Sequence, residues 1–262
     1  MKNFNFKSAT NTKEAAKLAT AGRSTFLAGG MSLIPAIKLR LAAYSDLINI
    51  KKIKGLSGIK ISSKSLRIGA TTTHAEVAAS KEVGKSIPSL AVLAEGIGDP
   101  QVRNRGTIGG SIANNDPAAD YPSACLALNA TIHTSKRKIS ADKFFKGMFE
   151  TDLKKGELIE AVEFEVPEKS GYAKFPNPAS RYAVVGVYVA KLKKEVRAAI
   201  TGAGNCVFRS KELESALSSN FSISAIEGIN VSSKGLNSDI HASAEYRAHI
   251  IKVMAKKAVS SC

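Results

Sequence analysis

Between Asp99 and Asp120 the chain runs for 22 residues with almost no apolar periodicity, and glycine, asparagine, aspartate and proline crowd the segment. So much polar backbone in the middle of a compact chain is costly unless it builds a site. The rest of the fold must therefore be arranged around it from short elements. Upstream, Asn11-x-x-Glu14 opens an Ala-rich helix to Thr20. Ser24–Ala28 reads as a strand stopping at Gly29-Gly30, Ser32 as the cap of a helix over Ile34–Leu41 with Pro35 in its first turn, and Asp46–Ile50 as a second strand. A hairpin of Gly58–Ile61 and Ser65–Ala70 follows, then helices from Thr73 to Ser80 and over Ser86–Glu95. Downstream come a helix over Pro117–Leu128, a hairpin of Ala130–Thr134 and Arg137–Ile139, and a strand over Glu157–Val166. Three strands (Tyr172–Phe175, Arg181–Lys191, Glu195–Thr201) and helices near Arg209–Ser219, Ser222–Gly228 and Ala242–Val259 complete an α+β chain. A boundary is expected near residue 168, with Pro176-Asn177-Pro178 as a rigid turn just past it.

Composition narrows the function. The chain of 262 residues is 44% hydrophobic, enough for a sizeable core, and no apolar run approaches the roughly 20 residues of a membrane span. Met1–Ala9 lacks the apolar stretch of a secretory signal. Cys125, Cys206 and Cys262 are an odd, scattered set with no C-x-x-C pair, which fits a reducing cytoplasm and leaves no iron–sulfur ligand set on this chain. His74, His133, His241 and His249 show no metal spacing, so no metal site is expected. The net charge is +16, yet only ten of 38 basic residues are Arg and aromatics are 6%. Nucleic-acid readers combine Arg with stacking aromatics, so no specific nucleic acid is expected as a partner.

The residues that carry chemistry are two glycine pairs, Ala28-Gly29-Gly30-Met31-Ser32 and Thr107-Ile108-Gly109-Gly110-Ser111. Each ends in a hydroxyl. Paired glycines permit φ > 0 and let consecutive backbone N–H groups approach an anion. Two such loops suit a diphosphate held from both sides, though a glycine pair also marks ordinary turns and bulges, and the residues alone leave both readings open. Neither loop matches G-x-G-x-x-G or G-x-x-x-x-G-K-[ST], which argues against a Rossmann NAD site and a phosphate-binding ATPase loop. Asp116 reads first as a helix cap, and Asp120 falls one turn later, where it could meet ribose or ribityl hydroxyls. Arg103 and Arg105 read as loop-bracing or partner residues, and Cys125 as a small core side chain.

The segment Asp99-Pro100-Gln101-Val102-Arg103-Asn104-Arg105-Gly106-Thr107-Ile108-Gly109-Gly110-Ser111, followed by Asp116-Pro117-Ala118-Ala119-Asp120, closely resembles the signature of FAD-binding medium subunits of molybdenum hydroxylases, aerobic carbon monoxide dehydrogenase foremost. Ala28–Leu41, Ile68-Gly69-Ala70, Pro178–Ala183 and Asp239–Arg247 resemble further motifs of that family in the same order, so the likeness spans nearly the whole chain. Met31 departs from the His or Gln usual at its position.

The resemblance implies the two-subdomain FAD-binding fold shared with vanillyl-alcohol oxidase, here residues 1–168 (subdomains about 1–56 and 57–168), with 169–262 as a C-terminal sheet and helices. It implies non-covalent FAD, its pyrophosphate between Ala28, Gly29, Gly30, Met31, Ser32 and Thr107, Ile108, Gly109, Gly110, Ser111, with Asp120 on flavin hydroxyls and Tyr182 beside the isoalloxazine. The partners implied are a large molybdopterin subunit and a small [2Fe–2S] subunit, as a dimer of heterotrimers. Electrons from the clusters would pass to an external acceptor, inside the cell or at the inner face of its membrane. A self-contained FAD oxidoreductase and a basic binding module without flavin are the competing readings.

Overall fold

The computed structural model describes all of residues 1–262. Its first sheet is parallel: β1 (Asn5–Ser8), β2 (Ser24–Leu27) and β3 (Asp46–Asn49) stand in the order β1-β3-β2. Parallel strands need crossovers, supplied by α1 (Thr12–Thr20) and α2 (Leu33–Lys38). Asn11 caps α1 as its spacing predicts, accepting from the Glu14 N–H at 2.9 Å, and Glu14 returns a bond to the Thr10 N–H at 2.8 Å. Ser32 differs from expectation: it already has helical dihedrals and makes no capping bond. Its hydroxyl is left for other partners.

The second sheet is antiparallel, in the order β4-β5-β10-β6-β7. Its strands are β4 (Ile59–Ile61), β5 (Ser65–Gly69), β6 (Thr131–Thr134), β7 (Lys138–Ser140) and β10 (Ile159–Glu165); β8 (Phe145–Gly147) and β9 (Glu150–Thr151) form a separate hairpin. Seven helices accompany it: α3 (His74–Ala79), α4 (Lys81–Ser86), α5 (Pro88–Glu95), α6 (Pro100–Arg103), α7 (Ile108–Asn114), α8 (Tyr121–Ala127) and α9 (Ala141–Phe144). Thr73 and Glu76 form a reciprocal capping box at α3.

The segment Asp99–Asp120 is not the continuous loop that its lack of periodicity predicts. It contains α6, capped by Asp99 (2.8 Å from the Val102 N–H), and α7, capped by Thr107. Helices of four and seven residues carry too few apolar positions to show a period, and in α7 only Ile108 and Ile112 reach the main core. Asp116 does not cap α8 either: its Oδ1 accepts from the Ala118 N–H at 2.9 Å, closing a local turn, and Asp120 itself is the residue before the helix.

The third sheet, β11 (Lys169–Pro176), β12 (Ala183–Lys191), β13 (Val196–Thr201) and β14 (Phe208–Arg209), is antiparallel in chain order. Helices α10 (Lys211–Ser219), α11 (Ser224–Glu227) and α12 (Ala244–Ser260) follow. Strand β12 is buried from Ala183 to Ala190, so its apolar run is continuous rather than alternating. One face, through Val185, Val187 and Val189, packs with Ile251, Met254 and Ala255 of α12. The other face gives Tyr188 and Ala190, beside Ala199 of β13, to the 31-residue core built on Leu66, Ile68, Leu93 and Ile108. The chain beyond residue 168 is thus joined to the second sheet through one shared core.

Gly109 locks this arrangement. Its N–H donates to the Ala70 carbonyl at 2.9 Å, and a Cβ on it would lie 2.6 Å from the Ala70 Cβ. Helix α7 therefore rests on the end of β5 by backbone contact. Gly109→Ala should destabilise the flavin-free chain by about 1–3 kcal/mol through overpacking, read as a lowered urea midpoint. Gly84→Ala, at a glycine with nothing within 4 Å, is the comparison and should show no loss. An unchanged midpoint for Gly109→Ala would refute the packing role.

Candidate functional site

A cleft of about 860 Å³ opens among the three sheets. Ala28, Gly29, Gly30, Met31 and Ser32 line one wall; Thr107, Gly109, Gly110 and Ser111 line another; Asp120 and Tyr182 also face it. Ile108 does not: its side chain is wholly buried in the core. The reason is geometric, because the first residue of α7 turns inward to pack where the following glycines face out.

The two glycine loops, alike in sequence, differ in physics. In the first, the N–H groups of Gly29, Gly30, Met31 and Ser32 donate to no group of the chain. Gly30 has φ +77°, a left-handed conformation that glycine adopts without strain. Four consecutive unpaired donors on a cleft wall form an anion-binding nest. In the second loop the N–H groups from Ile108 to Ser111 are already used. Ile108 N–H bonds to the Thr72 carbonyl (3.1 Å), Gly109 to Ala70 (2.9 Å), Gly110 to the Thr107 hydroxyl (3.1 Å) and Ser111 to the Thr107 carbonyl (2.9 Å). The expectation of two matched nests is corrected accordingly. The second loop offers the cleft the Ser111 hydroxyl, which makes no bond within the chain, and a surface cleared of Cβ atoms at Gly110.

The loops touch at Gly29. A Cβ there would run into the Arg105 carbonyl and reach 2.9 Å from the Gly106 Cα. Arg103 braces the same segment, donating to the Ile97 and Gly98 carbonyls at 3.1 and 3.0 Å, whereas the Arg105 side chain is exposed and makes no bond. Tyr182, the residue before β12, is 43% exposed, and its hydroxyl lies close to that of Ser32 across the cleft. Burial, then the charges of Asp116 and Asp120, push its hydroxyl pKa up. Asp120 is buried against Tyr172 and Lys174. Met31 is 39% exposed at the rim, so the departure there alters a side chain and spares the backbone donors.

His74 also lies on the cleft wall, a placement that the absence of metal spacing among the histidines does not reveal. The side chain is buried on the cleft wall, its ring 5.4 Å from that of Tyr121, and Gly106 leaves just enough room for its Nε2. Its Nδ1, the Tyr121 hydroxyl and the Thr71 hydroxyl have no hydrogen-bond partner within the chain. The capping box one residue before His74 was the available signal: it fixes His74 as the first residue of α3, beside the Asp99–Asp120 segment.

Residues 2–168 match the family described as the FAD binding domain in molybdopterin dehydrogenase. The chain belongs to this family. It is 36% identical to the glyceraldehyde dehydrogenase medium chain of Sulfolobus acidocaldarius, over 97% of this chain and 96% of that one. It is 33% identical to subunit alpha of the 6-hydroxypseudooxynicotine dehydrogenase complex of Paenarthrobacter nicotinovorans, over 98% and 93%. Its fold matches a chain of carbon monoxide dehydrogenase from Hydrogenophaga pseudoflava with TM-score 0.89, at 30% identity, covering 99% of this chain and 96% of that one. The chain is an FAD-binding medium subunit of the molybdenum hydroxylases, a flavoprotein component of multi-subunit oxidoreductases.

Within this medium subunit no three His, Cys, Asp or Glu side chains gather as a metal-ligand set. Cys125 lies in the core and its thiol pKa is pushed well up by burial. No helix is long and apolar enough to cross a membrane.

Burial, then the nearby Arg103 charge, lowers the His74 pKa from its ordinary 6.5 to about 4. Between those values the unfolded imidazole binds a proton that the folded one does not. Stability should therefore fall as pH drops from about 6.5 to about 4, by up to roughly 3 kcal/mol from this group. Urea unfolding of the wild type and His74→Phe across that range checks it. The difference between them should carry this slope, and parallel profiles would contradict it.

Proposed function

We propose that this medium subunit holds FAD non-covalently with its pyrophosphate on the first glycine loop, and that it relays electrons from [2Fe–2S] clusters on a small subunit to an external acceptor. The observation that carries the reading is the run of four unpaired N–H groups, Gly29 to Ser32, on the wall of a cleft large enough for a cofactor. Ala28 opens the loop. Met31 contributes its N–H, and Ser32 a hydroxyl beside that of Tyr182. Across the cleft, Thr107, Gly109, Gly110 and Ser111 would supply the Ser111 hydroxyl and close approach, while Ile108 supports them from the core. Asp120 would accept from ribityl or ribose hydroxyls, and Tyr182 would cover the isoalloxazine.

Bound there, FAD supplies reversible one- and two-electron chemistry. The protein's share is to bind, orient and shield. Each carboxylate lining the cleft is already tied to protein groups, which favours a relay over a self-contained oxidoreductase. Asp116 accepts from the Ala118 N–H, Asp120 from Tyr172 and Lys174, and Glu157 from Thr134, Arg137 and the Lys154 N–H.

The finer architecture belongs to the same proposal. Residues 1–168 form the FAD-binding domain, with subdomains at about 1–56 and 57–168 each built on its own sheet, in the manner of vanillyl-alcohol oxidase; 169–262 form the C-terminal domain. The assembly is a dimer of heterotrimers with a large molybdopterin subunit and the small [2Fe–2S] subunit, working in the cytoplasm or at the inner face of the membrane.

Gly30→Val forces a β-branched residue to φ +77° and into Ile34, 3.0 Å from the new Cβ. It should disrupt at least two of the loop's N–H contacts. At about 1.5–3 kcal/mol per charge-assisted bond, FAD affinity should fall by roughly two to four decades. Gly84→Val, outside the cleft, should retain its flavin. Equilibrium titration of the folded chains by flavin fluorescence is the test, and full affinity in Gly30→Val would remove the pyrophosphate from this loop.

A further inference from the structure

Asp120 is held from outside its own segment. The Tyr172 hydroxyl donates to its Oδ1, and the Lys174 Nζ lies 2.9 Å from the same oxygen while also donating to the Gly96 carbonyl at 2.8 Å. Both side chains stand on β11, beyond residue 168, where the family match ends. The site is buried on both sides: side-chain exposure is 9% for Lys174 and 4% for Asp120. The arrangement is lopsided. Oδ1 takes two donors, whereas Oδ2 makes no hydrogen bond within the chain, on a residue that lines the cleft.

A buried carboxylate with one bare oxygen is expensive, and burial pushes this carboxyl's pKa up. The Lys174 ammonium and then the Tyr172 hydroxyl oppose that push. Both favour the charged form against that push, and together they fix the carboxylate's orientation at Oδ1.

We propose that Lys174, seconded by Tyr172, is a positioning residue for the cofactor: it keeps Asp120 ionised and aimed, so that Oδ2 accepts a hydroxyl of the flavin's sugar chain. The third sheet thus completes a site whose glycine loops all lie before it. This rests on the reading of Asp120 as a flavin-hydroxyl acceptor.

The test uses the full chain and FAD itself, in Asp120→Asn, Lys174→Met and the double variant. Asp120→Asn should weaken FAD binding roughly 10- to 100-fold, Lys174→Met similarly, and the double variant no more than Asp120→Asn alone. Infrared spectra of the flavin-free chains should show a protonated-carboxyl band in Lys174→Met that vanishes in the double variant. Wild-type affinity in Lys174→Met, or losses that multiply in the double variant, would overturn the inference while leaving Asp120 in its role. Wild-type affinity in Asp120→Asn would instead overturn the reading of Asp120. Should Lys174→Met not fold, Tyr172→Phe serves. It should weaken FAD binding severalfold in the wild-type background and not at all beside Asp120→Asn, and an equal loss in both would overturn the proposal.

Discussion

The backbone of the first glycine loop lies directly on the backbone at Arg105–Gly106, and only the missing side chain at Gly29 lets it do so. A methyl group there would occupy the place of the Arg105 carbonyl. That contact brings the parallel sheet of residues 5–49 against the segment leading into α7. Two more close approaches extend it: the His74 ring against Gly106, and Gly109 against Ala70 at the end of β5. Three glycines thus set the width of the cleft, and Gly30 alone among these loop glycines is there for its left-handed φ.

From this constraint follows a division of labour. The second loop spends its N–H groups on holding α7 to the end of β5 and on capping α7's own first turn at Thr107, so it acts as a rigid wall. The first loop leaves its N–H groups unpaired and carries the binding capacity. Unpaired backbone donors are tolerated where a ligand or water meets them and are rare elsewhere. The third sheet reaches Asp120 through Lys174 and Tyr172, and Tyr182 faces the cleft just before β12. Because that sheet shares its core with the second, its side chains are held rigidly enough to orient a cofactor.

Much of this was legible in the sequence wherever local chemistry decides. The Asn11–Glu14 and Thr73 caps, the strand and hairpin order, and the buried run of β12 all follow from spacing and burial. The glycine loops could be found too, with all but Ile108 of the residues expected there facing the cleft. That the Ile108 and Gly109 donors are taken could not be read, because it depends on Thr72 and Ala70, more than 30 residues away in the chain. The same holds for the Lys174–Asp120 pair and for the burial of His74, which are set by contacts between sheets. Helices α6 and α7 leave no apolar period in the sequence because capping residues define them.

Amide resonances of the flavin-free full chain, followed while FAD and riboflavin are added separately, test the asymmetry of the two loops most directly. The Gly29, Gly30, Met31 and Ser32 amides should shift downfield with FAD and not with riboflavin, which lacks the pyrophosphate. The Gly109 and Gly110 amides, already bonded to Ala70 and Thr107, should move little with either. The reverse pattern, with FAD shifting Gly109 and Gly110 while the first loop stays still, would contradict the account.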